Sequence, residues 1–197
     1  MKSTRRLSRF ALSGLLLTVL SEVAINAASA ASPTVPDGFG VSPINRATIF
    51  VRDQERSLKL YRDLLGMHVF FNNYWDNGGI NAIMNTQGET LRAIVVESGD
   101  GVFGKLGIYQ LSAASVAKAP PPEQSTTTKV GDFAIVFTTN DIDGFTARIK
   151  AAGYPIISPP VVLKENPAYE VQGREMMFRD PDGVLVNLVQ PGVPKRK

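Results

Sequence analysis

The stretch Asp180-Pro181-Asp182-Gly183-Val184-Leu185-Val186-Asn187-Leu188-Val189-Gln190 decides the fold of this chain. Asp182-Gly183 has the chemistry of a tight hairpin turn, and the apolar run after it reads as a strand with one buried face. A copy of the pattern stands in the first half, where Arg92-Ala93-Ile94-Val95-Val96-Glu97-Ser98-Gly99-Asp100-Gly101 precedes Lys105-Leu106-Gly107-Ile108-Tyr109-Gln110-Leu111. The repeat extends upstream. Ile49 to Asp53 leads into Ser57-Leu58-Lys59-Leu60-Tyr61-Arg62-Asp63-Leu64-Leu65-Gly66, and Val136 to Asp141 leads into Phe145 to Gly153. A strand, a helix and further strands thus occur twice, and the chain is two copies of one supersecondary unit.

The spacing predicts a first strand near Ile44 to Arg52. Asp53 then serves as N-cap of a helix that runs to about Leu65 and is stopped by Gly66. Leu58, Tyr61, Leu64 and Leu65 recur at helical spacing and give that helix a face to lay on a sheet. Met67 to Asn73 reads as the second strand, and Tyr74-Trp75-Asp76-Asn77-Gly78-Gly79 as a turn-rich, mobile rim. The first module covers 44–112. Residues 113–131, with Pro120-Pro121-Pro122 and Ser125-Thr126-Thr127-Thr128, read as a linker. The second module covers 132–191, with a strand at Phe133 to Thr139, a helix from about Ile142 to Ala152 closed by Gly153, a strand near Pro155 to Leu163, and the hairpin quoted above. Residues 192–197 are a basic tail.

Residues 1–30 read as an export signal: Lys2, Arg5, Arg6 and Arg9 precede an apolar run from Ala11 to Leu20, and Ala28-Ser29-Ala30 supplies small residues for cleavage. Glu22 interrupts the run short of the roughly 20 residues a membrane span needs, so no stable membrane anchor is expected. The mature protein, with an extended leader over 31–43, is expected in the periplasm or secreted. Ordinary secretion and a twin-arginine route through Thr4-Arg5-Arg6 both stay open. Losing the signal removes four bases and one acid, which leaves 17 of each from 21 and 18. The pI of 9.2 therefore belongs largely to the signal, and a neutral mature chain gives no reason to expect nucleic acid as a partner. The absence of cysteine excludes disulfides, thiol catalysis and thiolate metal sites.

The pattern Asp-x-x-x-Ser-x-x-x-Tyr-Arg-Asp-x-Leu-Gly at Asp53 to Gly66, joined to Asp-Pro-Asp-Gly at Asp180, resembles the vicinal oxygen chelate superfamily. That superfamily includes glyoxalases, extradiol dioxygenases, epimerases and bleomycin-resistance proteins. The resemblance covers roughly residues 44–191. It implies an α+β fold in which two paired β-α-β-β-β modules form a curled mixed sheet around a cavity. It also implies, for the family's metal enzymes, a divalent ion held by His, Gln or Glu side chains on the first and last strands of the modules. Matching the motifs places Arg46, Gly107, Ala134 and Asn187 at those positions, with Ala93 in place of Gly107 if the strand at Arg92 to Glu97 is the matching one. None is a usual ligand, and Arg46 sets a fixed positive charge where a cation would sit. No metal or cofactor is expected. His68, the single histidine, reads as a partly exposed sheet residue. A carboxylate site with Glu97, Glu170 or Glu175 is its alternative.

What this leaves is a cavity with other chemistry. Arg46 and Asn187 are expected to lie close together across the paired sheets, where a guanidinium fork and an amide suit a carboxylate, enolate or carbonyl oxygen. In the competing reading Arg46 plugs the site by pairing with Asp132 or Glu175. Tyr74, Trp75, Phe71, Tyr109 and Met177 would line the cavity, or belong to ordinary core. Arg92 faces either cavity or solvent.

Two classes of function follow. In one, a metal-independent protein binds a small, partly apolar anionic or carbonyl compound through Arg46, Asn187, Tyr74, Trp75, Tyr109 and Met177. In the other, a lyase, isomerase or epimerase uses Arg46 to stabilise oxyanion charge and Glu175 or Tyr74 to move a proton. A metal-dependent glyoxalase or dioxygenase with an atypical site is a third alternative. Phosphate loops, a Gly-x-Ser-x-Gly elbow and a serine context for His68 are missing. The linker spans pairing within a chain or between chains, and a homodimer is the expected state.

Overall fold

Each module is organised by an aspartate that starts its helix. The computed structural model describes residues 42, 44–99 and 104–196; residues 1–30, read from the sequence as an export signal, nearly all of the expected leader and the expected turn at Asp100-Gly101 lie outside them. Strand β1 (Ala47–Phe50) leads to Asp53, whose carboxylate accepts the Arg56 N–H and caps helix α1 (Gln54–Leu58). The helix then continues through Lys59–Leu64 as a π turn, with the Leu65 N–H donating to the Leu60 carbonyl at 2.9 Å, and Gly66 ends it at φ 80°. The sequence pattern predicts an ordinary helix here, and the turn is wider. It rotates the buried face, so Leu58, Leu60 and Tyr61 are fully buried while Leu64 and Leu65 are only partly so.

Strands β2 (His68–Trp75), β3 (Leu91–Glu97) and β4 (Leu106–Leu111) complete the first sheet, in the order β1-β4-β3-β2. The second sheet repeats this with β5 (Ala134–Thr138), β6 (Ile156–Val161), β8 (Arg174–Arg179) and β9 (Leu185–Gln190), in the order β5-β9-β8-β6. In both, the first strand runs parallel to the last and the other pairings are antiparallel. The result is the expected α+β fold of two β-α-β-β-β modules, each contributing one four-stranded mixed sheet. Helix α4 (Ile142–Ala151), capped by Asp141 through the Gly144 N–H, covers the second sheet as α1 covers the first.

Several segments differ from the sequence reading. Asp76 to Gly79 does not remain a loose rim, because Asn77 caps a helix α2 (Gly78–Met84) by accepting the Ile80 N–H at 3.1 Å. The linker begins with helix α3 (Ala113–Lys118), capped by Ser112. The Glu89 carboxylate accepts the Ser112 N–H at 2.7 Å and the Ser115 hydroxyl, tying α3 to the start of β3. The tail is partly structured too, since β10 (Val193–Pro194) pairs with β7 (Tyr169–Val171). The remaining linker is held by Arg179. Its buried guanidinium donates to the carbonyls of Ser125 (2.7 Å), Thr127 (3.0 Å) and Gly183 (2.7 Å), with Asp132 at 3.3 Å.

The Asp180 hairpin also joins the modules. The Arg52 guanidinium and N–H both reach Asp182, at 2.7 and 3.0 Å. The Tyr61 hydroxyl donates to Asp180 at 2.8 Å. Apolar residues from both helices and from the helix-facing sides of both sheets form one buried cluster.

Candidate functional site

Alternation along the strands sorts every candidate onto one of two faces, and residues paired across strands share a face. Ile49, Ile94, Val96, Leu106 and Ile108 face α1 and the core. Thr48, Gly107, Val95 and Phe71 therefore form a row across the opposite, open face of the first sheet, and Phe50, Tyr109, Ala93 and Asn73 form the next. In the second sheet the matching rows are Val136, Asn187, Met177, Ser158 and then Thr138, Val189, Glu175, Val161.

The open face of the first sheet is aromatic. Phe50 meets Tyr109 edge to face at 5.9 Å, and Phe71 stacks on Trp75 at 5.6 Å. Although both pairs gain from this geometry, Phe50 is still 55% exposed and Phe71 36%. Across on the second sheet, Val136 is 61% exposed. Arg46 lies just before β1, where its Nε donates to the Thr48 hydroxyl at 3.1 Å and its guanidinium sits 5.5 Å from the Tyr109 ring centre. Among the described residues it forms no ion pair.

Asn187 and Glu175 belong together. The Asn187 amide donates to the Met176 carbonyl at 3.0 Å and to a Glu175 carboxylate oxygen at 3.4 Å. Asn187 is thus committed within its own sheet, and the expected Arg46–Asn187 pair is replaced by two separate groups, Arg46 with Tyr109 and Asn187 with Glu175. The plug reading also lacks its partners, because Asp132 is held by Arg179 and by the Lys129 N–H. Met177 stands beside Asn187, as the alternation requires. Glu175 borders a cavity of about 630 Å³ formed with Glu165, Tyr169 and Gln190.

Tyr74 is placed elsewhere. It pairs with Arg92, whose guanidinium reaches Glu55 of α1 at 3.4 Å, so both belong to the helix side of the sheet and Tyr74 points away from Arg46 and Tyr109. His68 is a sheet residue, more than half exposed, with Nε2 3.0 Å from the buried Glu97. The sequence offered no spacing for this pair; it arises because β2 and β3 place the two residues opposite each other.

The residues do not fit the metal that the resemblance implies. Register aligns Thr48 with Gly107 and Val136 with Asn187, so the first-strand positions that face the last strands are Thr48 and Val136, two residues beyond Arg46 and Ala134 on the same faces. Gly107 is on the last strand of its module, and Ala93 is not. A Cβ on Gly107 would stand 2.7 Å from the Thr48 hydroxyl and 3.1 Å from the Tyr109 ring, so the donor position is filled by neighbours. A hydroxyl, a glycine, a valine and an engaged amide do not make a divalent-ion site. Among the described residues no three His, Cys, Asp or Glu side chains converge.

The sequence pattern of the Glyoxalase/Bleomycin resistance protein/Dioxygenase superfamily matches residues 43–188. A glyoxalase family protein from Bacillus cereus superposes with a TM-score of 0.63 at 12% identity, over 80% of this chain and 99% of its own. A glyoxalase/dioxygenase from Nostoc punctiforme superposes with a TM-score of 0.50 at 16% identity, over 80% and 97%. At these identities the likeness is one of fold. No curated protein matches the chain significantly.

Proposed function

We propose that this chain, which belongs to the glyoxalase/bleomycin resistance protein/dioxygenase superfamily, is an exported, metal-independent binding protein for a small, partly apolar compound with an anionic or carbonyl oxygen. The observation that carries the reading is the aromatic floor of exposed Phe50 and Phe71 with half-buried Tyr109 and Trp75, beside an Arg46 without an acidic partner among the described residues. Apolar area of this kind with a few polar groups at its edge is the usual make-up of a small-molecule site. Arg46 supplies a forked donor for the oxygen. The filled donor position at Gly107 supports binding without a divalent ion, and the basic, apolar and small-residue order of residues 1–30 supports export.

The test uses 1-anilinonaphthalene-8-sulfonate, an apolar anion, followed by its own fluorescence. Binding is expected, and Phe50→Ala and Arg46→Ala should each weaken it about tenfold, the loss of roughly 1.4 kcal/mol. Sedimentation and elemental mass spectrometry of the same samples complete the test. A dimer that buries the floor and excludes the probe, or a stoichiometric bound metal, would sink the proposal.

Glu175 favours a second reading. A carboxylate beside an amide donor at a cavity wall suits proton transfer in a lyase or isomerase. That reading keeps Glu175 and drops Tyr74, which is on the other face. It requires Glu175→Gln to abolish a turnover that the wild type shows with a carbonyl or carboxylate substrate.

A further inference from the structure

One row before Thr48, the open face of the first sheet turns from apolar to charged. The Ala47 N–H donates to the Lys105 carbonyl at 3.2 Å, and Ala47 pairs with Leu106, which sets Arg46 alongside Lys105. Glu97 and His68 continue the row across β3 and β2. Lys105 is unusual within it. Its side chain is only 12% exposed, the nearest carboxylate oxygen among the described residues, on Glu97, is 3.9 Å away, and its ammonium lies 4.3 Å from the Phe70 ring centre. No hydrogen bond to Lys105 Nζ is formed by the described residues. That same Glu97 Oε2 is itself buried without a hydrogen-bond partner. An ammonium carries three donors, and those of Lys105 that no described residue accepts are open to water or to a ligand oxygen.

Lys105 and Arg46 border a slot of about 420 Å³ between β1 and β5. Ser98 and Gly104 stand at the same end. The rest of the wall is apolar and comes from both modules, with Leu65 and Met67 following α1, Phe137 on β5 and Phe145 on α4. Among the described residues Glu97 offsets part of the Lys105 charge and no acid pairs with Arg46, so their polar end keeps net positive character. The volume lies near the small end of the roughly 300–1,000 Å³ range for ligand sites.

We propose that this slot binds an amphipathic carboxylate, with the head group on Lys105 and Arg46 and the apolar chain among Leu65, Phe137 and Phe145. The site is separate from the aromatic floor of the preceding reading and does not depend on it. Arg46 borders both, so the test is built on Lys105 and Ser98.

Octanoate serves as the probe in isothermal titration calorimetry, with acetate as the head group alone and octan-1-ol as the chain with a neutral end. Octanoate is expected to bind at least tenfold more tightly than either. Lys105→Gln should weaken octanoate at least tenfold. Ser98→Glu, at an exposed position, should do the same by adding a negative charge at the mouth while leaving octan-1-ol unchanged. Absence of octanoate binding, equal affinity for octan-1-ol, or octanoate affinity unchanged in either variant would overturn the proposal.

Discussion

The Tyr61 hydroxyl, on the π turn that follows the first helix, donates a 2.8 Å hydrogen bond to the Asp180 carboxylate in the hairpin of the second module, and both residues are buried. The two motifs that carry the family resemblance therefore meet at one bond. Asp180 also accepts the N–H groups of Asp182 and Val184, each at 2.8 Å, so its carboxylate shapes the turn as well as joining the modules.

Tyr61→Phe removes a single oxygen and leaves a buried carboxylate with one donor fewer. The expected cost is about 1–3 kcal/mol in urea unfolding, with an unchanged m-value because the surface exposed on unfolding is the same. A loss below about 0.3 kcal/mol would show that the bond does not support module docking.

Burial raises the Asp180 pKa to about 6, against the opposing pull of its Tyr61 hydrogen bond. The folded state thus holds this proton more tightly than the unfolded state, so the residue's contribution to stability grows as pH falls from about 6 to about 4. The gain is on the order of 3 kcal/mol. Glu89 acts in the opposite sense. Hydrogen bonds from Ser112 and Ser115 hold it at about 2, so its contribution is present above about pH 4.5 and is lost as pH falls toward 2. Chemical unfolding across pH 2–8 should show a rise and then a fall on acidification. Asp180→Asn should flatten the segment between pH 4 and 6 and leave the lower one.

Arg179→Met strands the linker carbonyls of Ser125 and Thr127 and removes the partner of Asp132. A loss of about 3 kcal/mol is expected, in line with breaking a buried, hydrogen-bonded charge. Trypsin cleavage after the exposed Lys129 should accelerate by at least tenfold. Unchanged cleavage would mean that the linker is held by something other than Arg179.

Gly107→Glu places a carboxylate at the last-strand position of the first module. The new Cβ collides with the Thr48 hydroxyl, so about 1–3 kcal/mol of stability should be lost, and Thr48→Gly in the same chain should recover part of it. Zinc, nickel and manganese should still fail to copurify in stoichiometric amount, because Thr48, Val136 and Asn187 do not complete a ligand set. Stoichiometric metal in Gly107→Glu, read by elemental mass spectrometry, would refute that account of the site.

Local chemistry made much of the fold legible. Asp53 and Asp141 cap helices through their own carboxylates, Gly66 and Gly153 end them at positive φ, and Asp182-Gly183 turns a hairpin, all through interactions within a few residues. Those signals, repeated twice, were enough to set two β-α-β-β-β units side by side. The repeat Leu58, Tyr61, Leu64, Leu65 fits an ordinary helix, whereas in the structure Leu60 packs into the core on a wider turn. Asn77-Gly78-Gly79 carries turn residues, and what makes it a helix start is the Asn77 side chain accepting the Ile80 N–H.

The sequence by itself determined the strands and main helix of each repeated unit, their order and the duplication, since these depend on caps, turns and periodicity along the chain; α2, α3 and the β7–β10 pair it did not. It also determined that a thiolate chemistry is impossible. Tertiary structure alone decided which face each strand residue takes and which residues stand opposite each other. Period two separates Tyr74 from Trp75 but does not say which one meets the helix, and it says nothing of register between strands. For that reason Thr48 rather than Arg46 faces Gly107, Asn187 is held by Glu175, and Arg46 joins Lys105 at the end of a slot that neither module forms alone.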